Sequence, residues 1–239
     1  MRRFFQRIRD KAKDVAQSPI LTIAFGDSVT QGAMQLHSLD AEGVYHRLLE
    51  KELAAFFPTT TFSTINAGVS GGSAPQAVER LERDVLRHDP DLVLIAFGLN
   101  DSLSGLEGLY KFEIAMREMI TRIRHETSAA VILLTPSFMA RRKNSRIHPD
   151  HVGLADAITK SQNDGVLGRY AQAIREIAVA NETGLADLYR EWERLAEAGL
   201  DTDAWLVNGL NHPGREGHQL ACRVIISGIC NDPVRHVTG

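Results

Sequence analysis

Short apolar runs alternate along the chain with longer stretches in which apolar residues recur every three or four positions. "ILTIAF" (20–25), "TTFSTINA" (60–67), "DLVLIAFG" (91–98) and "AAVILLTP" (129–136) read as strands, and "LADLY" (185–189) as a short fifth. Between them, "AEGVYHRLLEKELAAFF" (41–57) sets Val44, Leu48 and Leu49 on one helical stripe. "SAPQAVERLERDVLRH" (73–88) opens with Ser73 as N-cap and Pro75 near the first turn. Residues 108–125 form a helix, "GRYAQAIREIAVANETG" (168–184) repeats the spacing with Tyr170, Ile174 and Ile177, and 214–230 form the last helix. Continuous apolar strands, each followed by a helix, predict one α/β domain whose parallel sheet, of about five strands, is covered on both faces. The longest stretch expected to be irregular is 137–163, a polar and basic excursion of a length that points to function.

Residues 1–18 stand apart from a domain spanning 19–239. They place Phe4, Phe5, Ile8 and Val15 among arginines and lysines, the pattern of a basic amphipathic helix. They hold six Lys or Arg against two Asp, so a formal net charge of −3 divides into +4 there and −7 over the remainder. This helix is expected to pack on the domain, the alternatives being a surface contact or a homo-oligomer element. The overall net charge gives no hint of nucleic acid or of an acidic substrate. No apolar run reaches the ~18–20 residues of a spanning helix, and the N-terminus lacks the apolar core of a secretory signal, so a cytoplasmic location is expected. Cys222 and Cys230 lie eight apart on one predicted helix, too distant for a disulfide, and have no metal-type spacing.

Ligands in an open parallel sheet gather beyond the carboxyl ends of the strands, so the residues just after each strand outline the site. Strand one delivers Gly26-Asp27-Ser28, strand two Asn66 to Gly72, strand three Gly98 to Asp101, and strand four Thr135-Pro136-Ser137. "NGLNHPGREGH" brings His212 and His218 just before or into the last helix. A serine, a glycine-rich turn, an asparagine and a histidine are parts for acyl transfer. The hydroxyl needs a neighbouring base, and the tetrahedral oxyanion needs donors already in place. Asp27 and Asp101 read as turn-fixing residues, His218 as structural, and His148 and His151 in "HPDH" as a solvated loop.

At these residues the sequence resembles the SGNH, or GDSL, hydrolase family. Its four letters match in order: Ser28 in "FGDSVTQG", Gly71 in "NAGVSGGS", Asn100 in "FGLND" and His212 in "NHPGREGH". The resemblance implies a three-layer α/β/α sandwich of flavodoxin-like form and a serine esterase or acylhydrolase that needs neither cofactor nor metal. It implies Ser28 as nucleophile and His212 as base, with the Ser28 N–H, the Gly71 N–H and the Asn100 side chain as oxyanion hole. The family usually carries Asp three residues before the catalytic His. Here Gly209 stands there and Asn208 one residue earlier. The third member is therefore expected to be Asp203, or alternatively Asp201, reaching in from the preceding loop, or else a backbone carbonyl serving a Ser–His dyad.

Three other readings compete. Ser70 lies in a formal G-x-S-x-G between a strand and a helix, and with Asp187 and His212 it would meet the chain order of an α/β-hydrolase triad. That reading leaves "GDS" and "GLND" unexplained. A phosphate or nucleotide binder would use the glycine-rich turns, but no G-x-x-x-x-G-K-[ST] or G-x-G-x-x-G is present. A catalytically silent binding module of the same fold is the third. For an enzyme, low aromatic content and the absence of a long apolar lid segment favour short-acyl, carbohydrate-like esters over lipids.

Overall fold

The computed structural model describes residues 1–230, so the last nine residues of the expected 19–239 domain lie outside it. Five strands, β1 (Ile20–Gly26), β2 (Phe62–Gly68), β3 (Leu92–Ala96), β4 (Ala130–Leu134) and β5 (Gly184–Ala186), form a single sheet in the order β2-β1-β3-β4-β5. Every pairing is parallel, with Ala24 facing both Asn66 and Leu94. Connections between parallel neighbours are supplied by helices, as such a sheet requires.

The alternation along β3 divides the core. Leu92 and Leu94 point to one face with Ile20, Ala24 and Ile132, and Val93 and Ile95 to the other with Ile23, Phe25 and Leu133. The first face is covered by α1 (Arg2–Lys13), α3 (Tyr45–Phe56), α8 (Leu188–Glu197) and α9 (Arg215–Cys230), through Phe4, Leu49, Trp192 and Ile225. The second is covered by α4 (Ala74–Asp84), α5 (Leu109–Glu126) and α7 (Val166–Ala180), through Leu81, Met116 and Ile174. The result is the three-layer α/β/α sandwich.

In α1, Phe4 and Ile8 are 1% and 2% exposed, so the apolar stripe faces the domain while Arg2, Arg3 and Arg9 face outward. Arg7 pairs with Asp91 at 2.9 Å, and the same carboxylate accepts the Leu21 N–H, which ties α1 to the starts of β1 and β3. No helix among the described residues is long and apolar enough to cross a membrane. Both cysteines lie on α9 and are free.

The structure departs from the sequence reading in the 137–163 excursion, which contains helix α6 (Val152–Asn163). Its buried face includes Ser161 and Gln162 beside Ala155 and Ile158, and polar residues on the buried side blur the apolar period. The polar pair is satisfied internally: Ser161 bonds the Ser102 hydroxyl at 2.9 Å, and Gln162 Oε1 accepts the Met139 N–H at 2.8 Å. The short fifth strand likewise ends two residues after its start, because Asp187 caps α8 by accepting the Arg190 N–H.

Candidate active site

The carboxyl end of β1 turns abruptly into α2 (Ser28–Gln31), one helical turn with Asp27 as its N-cap. Asp27 Oδ1 accepts the Val29 N–H at 2.9 Å. The carboxyl is buried, and that burial, with the charge of Asp101 nearby, raises its pKa to about 7 against the pull of the Val29 N–H. Ser28 is thereby held at the start of a helix.

His212 meets it. His212 Nε2 lies 3.0 Å from Ser28 Oγ, and His212 Nδ1 lies 2.7 Å from the Met34 carbonyl oxygen. A carbonyl only accepts, so Nδ1 carries the proton and Nε2 presents its lone pair to the serine hydroxyl. This is the tautomer a base needs. Burial lowers the His212 pKa below the ordinary histidine value; the Met34 bond opposes this and His151 adds to it.

The loop that carries His212 is organised by Asn208. Its Oδ1 accepts three backbone N–H groups, from Leu210 at 3.0 Å and from Asn211 and His212 at 2.9 Å. Asn208 therefore shapes the turn and does not touch the imidazole. Gly209 stands where the family's aspartate is expected, at φ +71°, and a Cβ there would come within 2.5 Å of Asn144 Oδ1 and 3.0 Å of the Ile147 N. An aspartate at this position would be both strained and crowded.

Asp203 does not take its place, which corrects the sequence expectation. Its buried carboxylate accepts the Arg141 N–H at 3.0 Å and the Arg142 N–H at 3.2 Å. Asp201 pairs with the Arg142 guanidinium at 2.5 Å. Both aspartates anchor the basic segment after β4, and the group at His212 Nδ1 is the carbonyl of Met34. Asp203→Asn is expected to leave ester turnover unchanged and to lower stability by about 1–3 kcal/mol, because one buried acceptor becomes a donor facing N–H groups. Urea unfolding and initial rates on the same preparation check both halves.

The remaining family positions converge on the same edge. Gly71, at φ +73°, sits in the turn after β2, and among the described residues neither its N–H nor that of Ser28 has an acceptor within the protein. Asn100 Nδ2 donates to the Gly72 carbonyl at 3.0 Å and lies 3.5 Å from Asp27 Oδ2. Asp101 joins the two turns by accepting the Ala74 N–H at 2.9 Å and the Gly98 N–H at 3.0 Å. Ser28, Gly71, Asn100 and His212 line one cleft of about 590 Å³. Its walls mix Gln31, Gln35 and Asn211 with Leu103, Leu154 and Ile158.

Ser70 lies on the rim of this cleft, exposed, and donates its hydroxyl to Gln31 Oε1 at 2.5 Å. Asp187 is held by Arg175 at 2.7 Å and by the Thr135 hydroxyl at 3.0 Å. The Ser70–Asp187–His212 set is not assembled. His218 is buried on α9, accepts the Tyr45 N–H at Nδ1, and is kept neutral by burial, its pKa pushed down to about 4. His148 and His151 have ring centroids 6.4 Å apart, and among the described residues no group of three or more His, Cys, Asp or Glu is placed to hold a metal ion. His151, expected in a solvated loop, lines the cleft. Met34 is the site residue the sequence reading missed by number, since its contribution comes from a main-chain atom every residue possesses.

The model of the GDSL-like lipase/acylhydrolase family matches residues 24–220. No curated protein matches the sequence. Among solved structures, the acetylxylan esterase Axe2 from Geobacillus stearothermophilus is 20% identical, with a TM-score of 0.69 over 89% of this chain and 94% of that one. LAE5, described as an alpha/beta hydrolase enzyme from the metagenome of Lake Arreo, Spain, is 22% identical, with a TM-score of 0.66 over 87% of this chain and 94% of that one. At these identities the likeness is one of fold.

Proposed function

Because the chain belongs to the GDSL-like lipase/acylhydrolase family, and so is a carboxylic ester hydrolase, we propose that it acts through a covalent acyl-enzyme on Ser28. The observation that carries the proposal is the 3.0 Å contact between Ser28 Oγ and His212 Nε2, with the other imidazole nitrogen committed to a carbonyl. Ser28 Oγ attacks the ester carbonyl as its proton passes to His212 Nε2. The oxyanion that forms takes hydrogen bonds from the Ser28 and Gly71 N–H groups and from Asn100 Nδ2. Collapse expels the alcohol, which receives the proton from His212. Water then attacks the acyl carbonyl with the same base, and Ser28 is released with the carboxylic acid.

In this dyad the Met34 carbonyl holds the imidazole in the reactive tautomer. It stabilises the imidazolium by its dipole, where a carboxylate would do so with a full charge. The catalytic unit is read as residues 19–239, with the helix of residues 1–18 as a buttress packed on the layer of α3, α8 and α9.

Asn100→Ala is expected to lower kcat about 10²–10³-fold with little change in KM, as loss of one preorganised donor does. An unchanged kcat would take Asn100 out of the oxyanion hole. The preferred substrates are short-acyl esters of carbohydrate-like alcohols, supported by the amide-rich cleft wall and by the fold shared with an enzyme described as an acetylxylan esterase. Rates on p-nitrophenyl acetate, p-nitrophenyl octanoate and acetylated xylo-oligosaccharides test this. Acetyl esters should be turned over faster than octanoate, and a preference for octanoate would reverse the substrate reading. A folded protein inert on all three would favour the silent binding module.

A further inference from the structure

The carboxyl ends of parallel strands present main-chain carbonyls, and at β1 and β2 two of these converge on a single side chain. Arg80, on α4, donates from Nη2 to the Gly26 carbonyl at 2.8 Å and from Nη1 to the Ala67 carbonyl at 2.8 Å. Nη1 also pairs with Asp84 at 2.7 Å, and both side chains are only 14% exposed. The guanidinium carbon lies 4.4 Å from the centroid of the Phe25 ring, so the plane of the fork is held from one side as well as at its tips. The Gly26 carbonyl accepts a second bond, from the Val69 N–H at 3.1 Å, which draws the turn after β2 onto the end of β1.

The residues just beyond those two carbonyls make the arrangement functional. Ser28 comes two residues after Gly26, and Gly71 four residues after Ala67. We propose that Arg80 is a positioning residue, whose planar fork clamps the two strand ends that present the Ser28 and Gly71 N–H donors and so sets the width of the oxyanion hole. This rests on the acyl-enzyme reading given above. Arg80 touches no reacting atom. It acts on the spacing of two donors that must both reach one oxygen, where an error of about 1 Å costs on the order of a hundredfold in rate.

The test measures kcat and KM separately on p-nitrophenyl acetate for Arg80→Lys, Arg80→Gln and Arg80→Ala, each confirmed folded by circular dichroism. The expected result is a fall in kcat of about ten- to a hundredfold with KM held within about twofold. Lysine keeps the charge facing Asp84 but supplies a point charge in place of a fork, so Arg80→Lys should fold and still be slow. Added methylguanidinium should restore part of kcat to Arg80→Ala and do nothing for the wild type. Wild-type kcat in folded Arg80→Lys or Arg80→Gln, or a change confined to KM, would overturn the inference. Ser28→Ala run alongside separates the two levels. If it is inert while the Arg80 variants keep full kcat, only the positioning role fails; if it stays active, the acyl-enzyme reading fails with it.

Discussion

Ser28→Ala is expected to reduce kcat on p-nitrophenyl acetate by about 10⁴–10⁶-fold while leaving the fold intact. The substitution removes one oxygen from a residue that is 4% exposed and whose hydroxyl meets His212. It leaves no bulky hole and disturbs neither the Asp27 cap nor the helical turn beyond it. Turnover by acyl-enzyme formation then has no nucleophile, and the remaining rate is the background assistance of the oxyanion donors to attack by water. Ser70→Ala, made in parallel, should stay within a few-fold of the wild type, because the Ser70 hydroxyl is spent on Gln31 and, among the described residues, no imidazole is hydrogen-bonded to it. Near-wild-type turnover by folded Ser28→Ala would remove the proposed mechanism altogether.

The second large effect is expected at His212. His212→Ala should lower kcat by about 10³–10⁵-fold on the same ester. Ser28 would keep its place and lose its proton acceptor. The pH dependence of the wild type gives a sharper reading of the same group. A base works in its neutral form, so protonation of His212 stops the reaction. Burial lowers its pKa below the ordinary 6.5, so the acid limb of kcat/KM should fall below that value and activity should persist into mildly acidic solution. A carboxylate on Nδ1 would raise the imidazole pKa and move the limb the other way. An acid limb at or above 6.5 would contradict the neutral Met34 contact.

The two measurements bear on whether a missing carboxylate by itself silences such a site. In a triad the third residue fixes the tautomer and stabilises the imidazolium, and its loss can cost on the order of 10⁴ when the tautomer goes wrong. In the proposed dyad the Met34 carbonyl takes over the first task, since it can only accept from Nδ1–H. Only the charge stabilisation is reduced.

Much of this was legible in the chain. The continuous apolar runs located β1, β3 and β4, because strands buried on both faces need continuous apolar sequence. β2 lies at the sheet edge, is only partly buried and carries a mixed sequence. Ser28, Gly71, Asn100 and His212 were legible because each follows a strand or precedes the last helix, and a parallel sheet gathers such positions at one edge. Helix α6 was hidden because Ser161 and Gln162 satisfy their polar groups inside the protein, so its buried face does not look apolar. Asp203 misled for the opposite reason: a carboxylate near the histidine in sequence is spent on the Arg141 and Arg142 N–H groups, a choice that depends on where the loop after β4 runs.

Hydrophobic period and residue type are local properties. The chain alone therefore dictates the layered α/β architecture and the serine, glycine, asparagine and histidine gathered at the sheet edge. The group behind His212, and the clamp on the strand ends beneath Ser28 and Gly71, are settled only by packing. Both rest on main-chain carbonyls, of Met34, Gly26 and Ala67, and every residue in the chain carries the same group. Which carbonyl meets an imidazole or a guanidinium is written in no side chain; it depends on how the loops and helices pack.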